Sequence, residues 1–408
     1  KLTPPQAHKI PKDVTVHHDT RIDDYYWLKE RDTQPVLDYL KAENDYTFAK
    51  MKHTELLQKT LYNEMRGRIK EDDTTVPYKF GNYMYYTRTE EDLQYDIYCR
   101  KLGNSSGDEE ITLNMNEMAK KHDYIDLSAY KISPNEKLLA LTIDTSGAEL
   151  HKLIVKDIKT GEILDDNLSN LDGSVEWAND NKTLFYTVLD KAHRSFQLWR
   201  HELGNEQSDD VLVFQEDDDR FSVGLHRTKS GEFLKMDLES QITTEVYLLD
   251  RNDPFGEWKL VQPREQGIEY YVYHRGDYLY QITNKDAINF KMIRTTLKGG
   301  KEDEIIPNRD KTTIDDVSMF KNHMAVLERV NGNLEIRLFN FEDESWYKIE
   351  MNEDIYSLTF EENYDWNSDF FRFGYGSFKT PYCVFDIDFK THKKTLRKKE
   401  EILGGYES

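Results

Sequence analysis

Cysteine is nearly absent from this chain: Cys99 and Cys383 are the only two. That rules out a disulfide-stapled scaffold and any thiolate-rich metal site. A bridge between the two is not expected, and both sit in alternating segments where buried free thiols are common. Proline is also scarce, at 10 residues, so few strands are interrupted. No apolar run approaches the roughly 20 residues that a membrane-spanning helix needs. Basic residues are outnumbered 55 to 77, for a net charge of −22. Such a surface repels phosphate backbones and argues against general nucleic-acid binding, while it favours cationic partners.

Catalytic signatures are missing too. There is no Gly-x-Ser-x-Gly nucleophile elbow, no His-Glu-x-x-His pair, no Cys-x-x-Cys and no Walker loop. The nearest string, Gly374-Tyr-Gly-Ser-Phe378, has the wrong spacing and reads as a β-bulge or tight strand entry. Gly299-Gly-Lys-Glu302 lacks the length and the hydroxyl residue of a phosphate loop. Asp165, Asn167, Ser169 and Glu176 fall at the first, third, fifth and twelfth positions of a calcium loop. Asn170 stands where that loop requires glycine, so no metal site is expected. His17, His18, His151, His193, His201, His226 and His274 are scattered and read as structural. Acidic runs such as Glu216-Asp-Asp-Asp219 read as solvated turns. No catalytic residue and no cofactor is expected, and the substrate-contacting residues are not identifiable.

What the chain does have is tyrosine (26) and phenylalanine (19) in short alternating segments. A strand–turn–strand unit of about 45 residues returns along the chain, a period typical of β-propellers. Its second strand passes through Tyr98, Val155, Trp199, Tyr247, Ile293, Ile336 and Val384. The expected fold is therefore mainly β, a seven-bladed propeller over residues 73–400. Ser133-Pro-Asn-Glu136, Asn179-Asp-Asn181 and Asn331-Gly-Asn333 mark its turns. In Tyr382–Phe389, Cys383, Phe385, Ile387 and Phe389 share one face.

Residues 1–72 stand outside the repeat. Pro4, Pro5 and Pro11 favour an extended start, and Pro35 opens one long or two abutting helices with Asp32 and Thr33 as capping candidates. Leu37, Leu40, Phe48, Met51, Leu57, Leu61 and Met65 form an imperfect apolar stripe that needs a further domain to cover it. Gly67 ends the helix. The basic run Lys393 to Lys399 reads as a solvated edge strand, and residues 401–408, with Gly404 and Gly405, as a linker toward another domain. The first residue is Lys1 rather than Met, which is compatible with a removed leader.

Four stretches resemble the prolyl oligopeptidase family of serine peptidases, and its oligopeptidase B branch most. They are Asp24-Tyr-Tyr-Trp-Leu28, Arg66-Gly-Arg-Ile-Lys-Glu-Asp-Asp73, Trp177-Ala-Asn-Asp180 with Leu198-Trp-Arg-His201, and Phe373–Pro381. The resemblance implies that residues 1–72 belong to an α/β-hydrolase domain whose Ser-Asp-His triad lies beyond this chain, so no triad residue can be placed. It implies a cytoplasmic serine peptidase, needing no metal or organic cofactor, that cleaves short peptides after Arg or Lys. The propeller would act as a size-selective lid, its partner being the hydrolase domain. The chain crossings at Arg66, Gly67, Arg68, Gly404 and Gly405 are then the hinge candidates. Family members often carry an arginine pair after Gly147, where this chain has Ala148 and Glu149. The alternative is a stand-alone propeller serving as a protein-binding scaffold, with the helical arm packed as an extra layer and no apolar surface left exposed.

Overall fold

A computed structural model describes residues 2–103, 107–164, 166 and 168–405. The chain divides into two units. One contains the residues up to Lys70 and the segment from Ile402; the other is Glu71–Glu401.

In the first unit an extended start leads into a hairpin, Lys12–Val16 against Asp19–Asp23. Its two-residue turn places His17 and His18 at φ 53° and 65°, the left-handed geometry that matches the twist of paired strands. Next, Trp27 donates its indole N–H to the His8 carbonyl (2.9 Å), and Tyr26 lies between Lys12 and Lys29. Helix α1 (Gln34–Met51) and helix α2 (Glu55–Arg66) abut through a single 3-10 turn, Lys52–Thr54. Thr33 is the N-cap residue, but its hydroxyl donates back to the Glu30 carbonyl instead of accepting from the helix.

The second unit is built from antiparallel sheets whose strands follow each other in space as in sequence. Five are separate four-stranded sheets, beginning with Tyr78–Phe80, Ser222–Arg227, Tyr270–Arg275, Thr312–Met319 and Ser357–Phe360. Seven separate four-stranded sheets were expected, and here the structure differs. Residues 126–215 form one continuous seven-stranded sheet. The cause is the ten-residue strand Leu168–Trp177. Its first half pairs with His151–Asp157 (Leu168 opposite Leu153), and its second half pairs with Thr183–Leu189 (Val175 opposite Tyr186). Between the halves Gly173 adopts φ 108°. A Cβ there would lie 2.4 Å from Ser128 Oγ, so only glycine lets the strand pass from one set of partners to the next.

Apolar layers lie between successive sheets. Leu141 and Leu113 pack in one, Phe185 with Met236 in the next, then Val246 with Tyr270, Tyr280 with Val326, and Phe320 with Phe371, while Trp177 and Leu153 pack in a further layer within the seven-stranded sheet. Both faces of most sheets are therefore covered, and each layer excludes water from two sheets at once. The seam where the first sheet meets the last is different. No strand is shared, and the junction is polar and aromatic. Arg372 donates Nη1 to the Pro77 carbonyl (2.8 Å) and grips Asp386 with Nε and Nη2 (2.6 and 3.0 Å). Lys79 pairs with Asp365 (2.9 Å), and Lys398 pairs with Asp73 and bonds the Thr74 carbonyl (both 2.5 Å).

Two smaller expectations are corrected. Gly374 is not in a bulge: Phe370–Gly376 keeps regular register with both neighbours. Its glycine is required because the Tyr382 hydroxyl would lie 1.8 Å from an added Cβ. Glu216 is not solvated but buried, held by Arg264 (2.6 Å), and only the aspartates after it face water. Of the calcium-loop positions, at which no metal site is expected, Asp165 and Asn167 lie outside the described residues, and Glu176 pairs with Lys131 (2.5 Å). Cys99 and Cys383 are buried free thiols.

Arg372 is buried and Asp386 nearly so, so truncating the arginine strands a carboxylate whose remaining contact is Arg397 at 3.4 Å. Arg372→Ala is expected to cost about 3–5 kcal/mol in urea unfolding. Arg397→Ala, at a half-exposed side chain, should cost about 1 kcal/mol or less.

Candidate functional site: the channel and the closing seam

The first strand of each sheet faces a common interior. Side chains meet across it: the Arg227 guanidinium lies 4.8 Å from the Phe80 ring, and Lys229 bonds the Ser318 hydroxyl (3.0 Å). Residues here combine two properties rarely found together. Tyr364 is 47% accessible, yet burial pushes its hydroxyl up to about 12. His226 is likewise accessible, and burial lowers its pKa. Water-sized access with protein on most sides is what a lined channel gives.

The charges in the channel are not all compensated. Lys131 is paired with Glu176, and Arg251 is held by the carbonyls of Trp177 and Gly231 (both 3.0 Å). Burial lowers Arg251 to about 10 and Lys229 to about 6, the latter against the opposing attraction of Asp365. Three carboxyls are raised, chiefly by burial: Glu239, Asp316 and Glu362. Among the described residues none of the three has an ion-pair partner.

At the closing seam the channel widens into a cavity of about 480 Å³. It draws on residues 75–99 from the first sheet, 128–131 from the next and 361–372 from the last. Tyrosines dominate its walls. Tyr98 stacks on Tyr130 (4.8 Å between centroids, 19° between planes), and Tyr78 lies 4.9 Å from Tyr364. A smaller space adjoins it, lined by Phe80, Glu176, Arg227 and Arg251. Sequence reasoning missed this site. Glu361-Glu362 carries no motif, and only sheet closure brings it beside tyrosines almost three hundred positions earlier.

The histidines remain structural. His201 is fully buried between Asp210 (2.6 Å) and Asp166 (3.1 Å). Burial opposes its charge, but the hydrogen bonds from Asp210 and Asp166 outweigh it and raise the pKa. His274 bonds Ser230 and the Gly276 carbonyl, while His193 sits in a turn at φ 60°. No group of three or more His, Cys, Asp or Glu suited to a metal occurs among the described residues.

The two expected crossing segments are brought together: the Leu403 N–H donates to the Arg68 carbonyl (3.0 Å). Gly67 caps α2 by donating to Asn63, Arg68 pairs with Glu64 (2.6 Å), and Gly404 and Gly405 take φ of 88° and 80°. Arg66 ends α2. Ala148 and Glu149 are exposed in a loop organised by Asp144, which accepts from the N–H groups of Ser146, Gly147 and Glu149.

Successive antiparallel sheets around a polar channel, closed by side chains instead of a shared strand, define a β-propeller module. The sequence profile of the prolyl oligopeptidase N-terminal beta-propeller domain matches residues 5–400, and the chain belongs to that family. It is 31% identical to Protease 2 from Moraxella lacunata, over 99% of this chain and 59% of that protein. It is equally identical to Dipeptidyl aminopeptidase BI from Pseudoxanthomonas mexicana, over 98% and 58%. The solved structure of oligopeptidase B from Leishmania major superimposes with a TM-score of 0.94 at 27% identity, over 100% of this chain and 62% of that one. The chain thus spans less than two thirds of the length of these relatives.

The raised carboxyls carry a pH signature. The folded state holds these protons more tightly than the unfolded chain does. Stability is then greatest below the ordinary carboxylate range and is lost as pH rises through the raised values. Glu362→Gln and Asp316→Asn should each raise the urea midpoint at pH 7 and flatten its change between pH 4 and pH 7. Lower midpoints at pH 7 for both variants would contradict this account of the channel.

Proposed function

We propose that this chain is the non-catalytic N-terminal portion of an oligopeptidase B-like serine peptidase that cleaves short peptides after Arg or Lys. In this reading the propeller is a size-selective lid, and the seven-stranded sheet counts as two blades sharing the strand Leu168–Trp177, which makes seven. The observation that carries the proposal is the bare apolar face of the arm. Leu37, Leu40, Phe48, Met51, Leu57, Leu61 and Met65 are all exposed, Phe48 by 74%. Leaving so much apolar surface in water is unfavourable, so the face is built to be covered. The part of the relatives that this chain does not span supplies an occupant, and we assign it the α/β-hydrolase fold and the serine acyl-enzyme chemistry.

The stand-alone scaffold reading requires that face to be covered already, and its exposure counts against it. The lid reading also draws support from the channel. Unpaired carboxyls at Glu239, Asp316 and Glu362 favour a cationic peptide over an anionic one. Opening would turn on the paired crossings at Arg66–Arg68 and Gly404–Gly405, where the left-handed glycines are strained by any other residue. Among the described residues no helix is long and apolar enough to cross a membrane. A cytoplasmic location is part of the proposal and rests on the oligopeptidase B-like reading alone. A second reading of the substrate, release of dipeptides, is favoured by the equal identity to Dipeptidyl aminopeptidase BI. Product analysis with the intact protein separates the two.

The coding sequence beyond Ser408 tests the proposal directly. It should encode Gly-x-Ser-x-Gly followed by Asp and then His; an immediate stop codon would sink the single-chain version. The chain by itself should show no turnover of benzoyl-arginine ethyl ester, and robust hydrolysis would overturn the assignment. Phe48→Glu with Leu57→Glu should leave the isolated chain's unfolding within about 0.5 kcal/mol, as exposed positions do. The same pair of substitutions should abolish activity of the intact peptidase.

A further inference from the structure

We infer that the seam cavity is a binding subsite for a cationic side chain, arginine above all, of a peptide held in the propeller channel. This rests on the basic-peptide reading above and gives it a location. The argument is one of charge balance in an enclosed aromatic space. Two cations line the cavity, and both are satisfied: Lys131 by Glu176 and Arg372 by Asp386 and the Pro77 carbonyl. Two carboxyls line it as well. Glu361 accepts from the hydroxyls of Tyr382 and Thr359, and Glu362 is raised by burial; neither has a cation within ion-pairing distance. The lining therefore lacks positive charge.

Its walls are the right material to supply the rest of the site. Tyr78, Tyr98, Tyr130 and Tyr364 present ring faces, and such faces attract a guanidinium most strongly where water is partly excluded. Burial raises all four hydroxyls, so none competes as an anion near neutral pH. A guanidinium is planar, carries five donors and is weakly hydrated, so it can stack on one ring while bonding a carboxylate. A volume of about 480 Å³ admits one such side chain with its backbone. An anionic side chain would meet two unpaired carboxyls at close quarters and be rejected.

Calorimetric titration of the whole chain with N-acetyl-arginine amide, and with its neutral isostere N-acetyl-citrulline amide, tests this. The arginine amide should bind and the citrulline amide should bind at least roughly tenfold more weakly, the scale expected for a desolvated cation–π contact joined by charge pairing. Glu361→Gln with Glu362→Gln should weaken the arginine amide by roughly tenfold, whereas Glu335→Gln, at a carboxyl outside the cavity that is paired with Lys348, should leave it unchanged. Thermal melts establish that each variant is folded. Equal binding of the two amides, full affinity in the double variant, an equal loss in Glu335→Gln, or no binding to the unaltered chain would each overturn the subsite. None of those results bears on the lid reading, which stands or falls on the sequence beyond Ser408.

Discussion

The structure depends on closing a series of sheets whose two ends share no strand. The other junctions in the second unit carry an apolar layer, such as Phe320 against Phe371 or Phe185 against Met236, with directional contacts such as Arg251 to the Trp177 carbonyl added to it. Those layers are driven by burial and tolerate small shifts. The closing junction instead relies on directional contacts, of which the buried grip of Arg372 on Asp386 and on the Pro77 carbonyl is the centre. A directional contact fixes register where an apolar one would slide. The interior of the propeller therefore depends on this one guanidinium being held in place.

The same choice makes the cavity. The cavity of about 480 Å³ lies at this closing junction, walled by tyrosines and by the Glu361-Glu362 pair. Of its carboxyls, Glu362 is costly to stability because burial disfavours its charged form. A ligand cation offsets that cost. The proposed subsite and an under-compensated carboxyl thus share one junction, in keeping with the general finding that such groups gather at sites.

The arm presents the complementary problem. Helices α1 and α2 carry leucines, methionines and a phenylalanine at helical spacing, and the residues stay in water. An isolated helix gains little from propensity alone, and it is usually stabilised by covering its apolar face. The Leu403 N–H, bonded to the Arg68 carbonyl, ties the two segments of this unit together.

Much of this was legible in the residues themselves. Two-residue alternation and the recurring turns specified antiparallel sheets, the proline pattern specified an extended start, and Pro35 with Gly67 bracketed the helices. These are local effects, set by backbone sterics and by the periodicity of apolar residues. What the sequence could not decide was long-range. The merging of two repeats into a seven-stranded sheet turns on Gly173 passing close to Ser128, and the need for Gly374 on the approach of Tyr382. The burial of Glu216 turns on Arg264, almost fifty residues later. The seam cavity turns on closure, which sets Tyr78 beside Tyr364 across nearly the whole unit. Local spacing determined which strands form; only the tertiary structure decided which of their charges would be left without a partner, because that depends on what folds back against them.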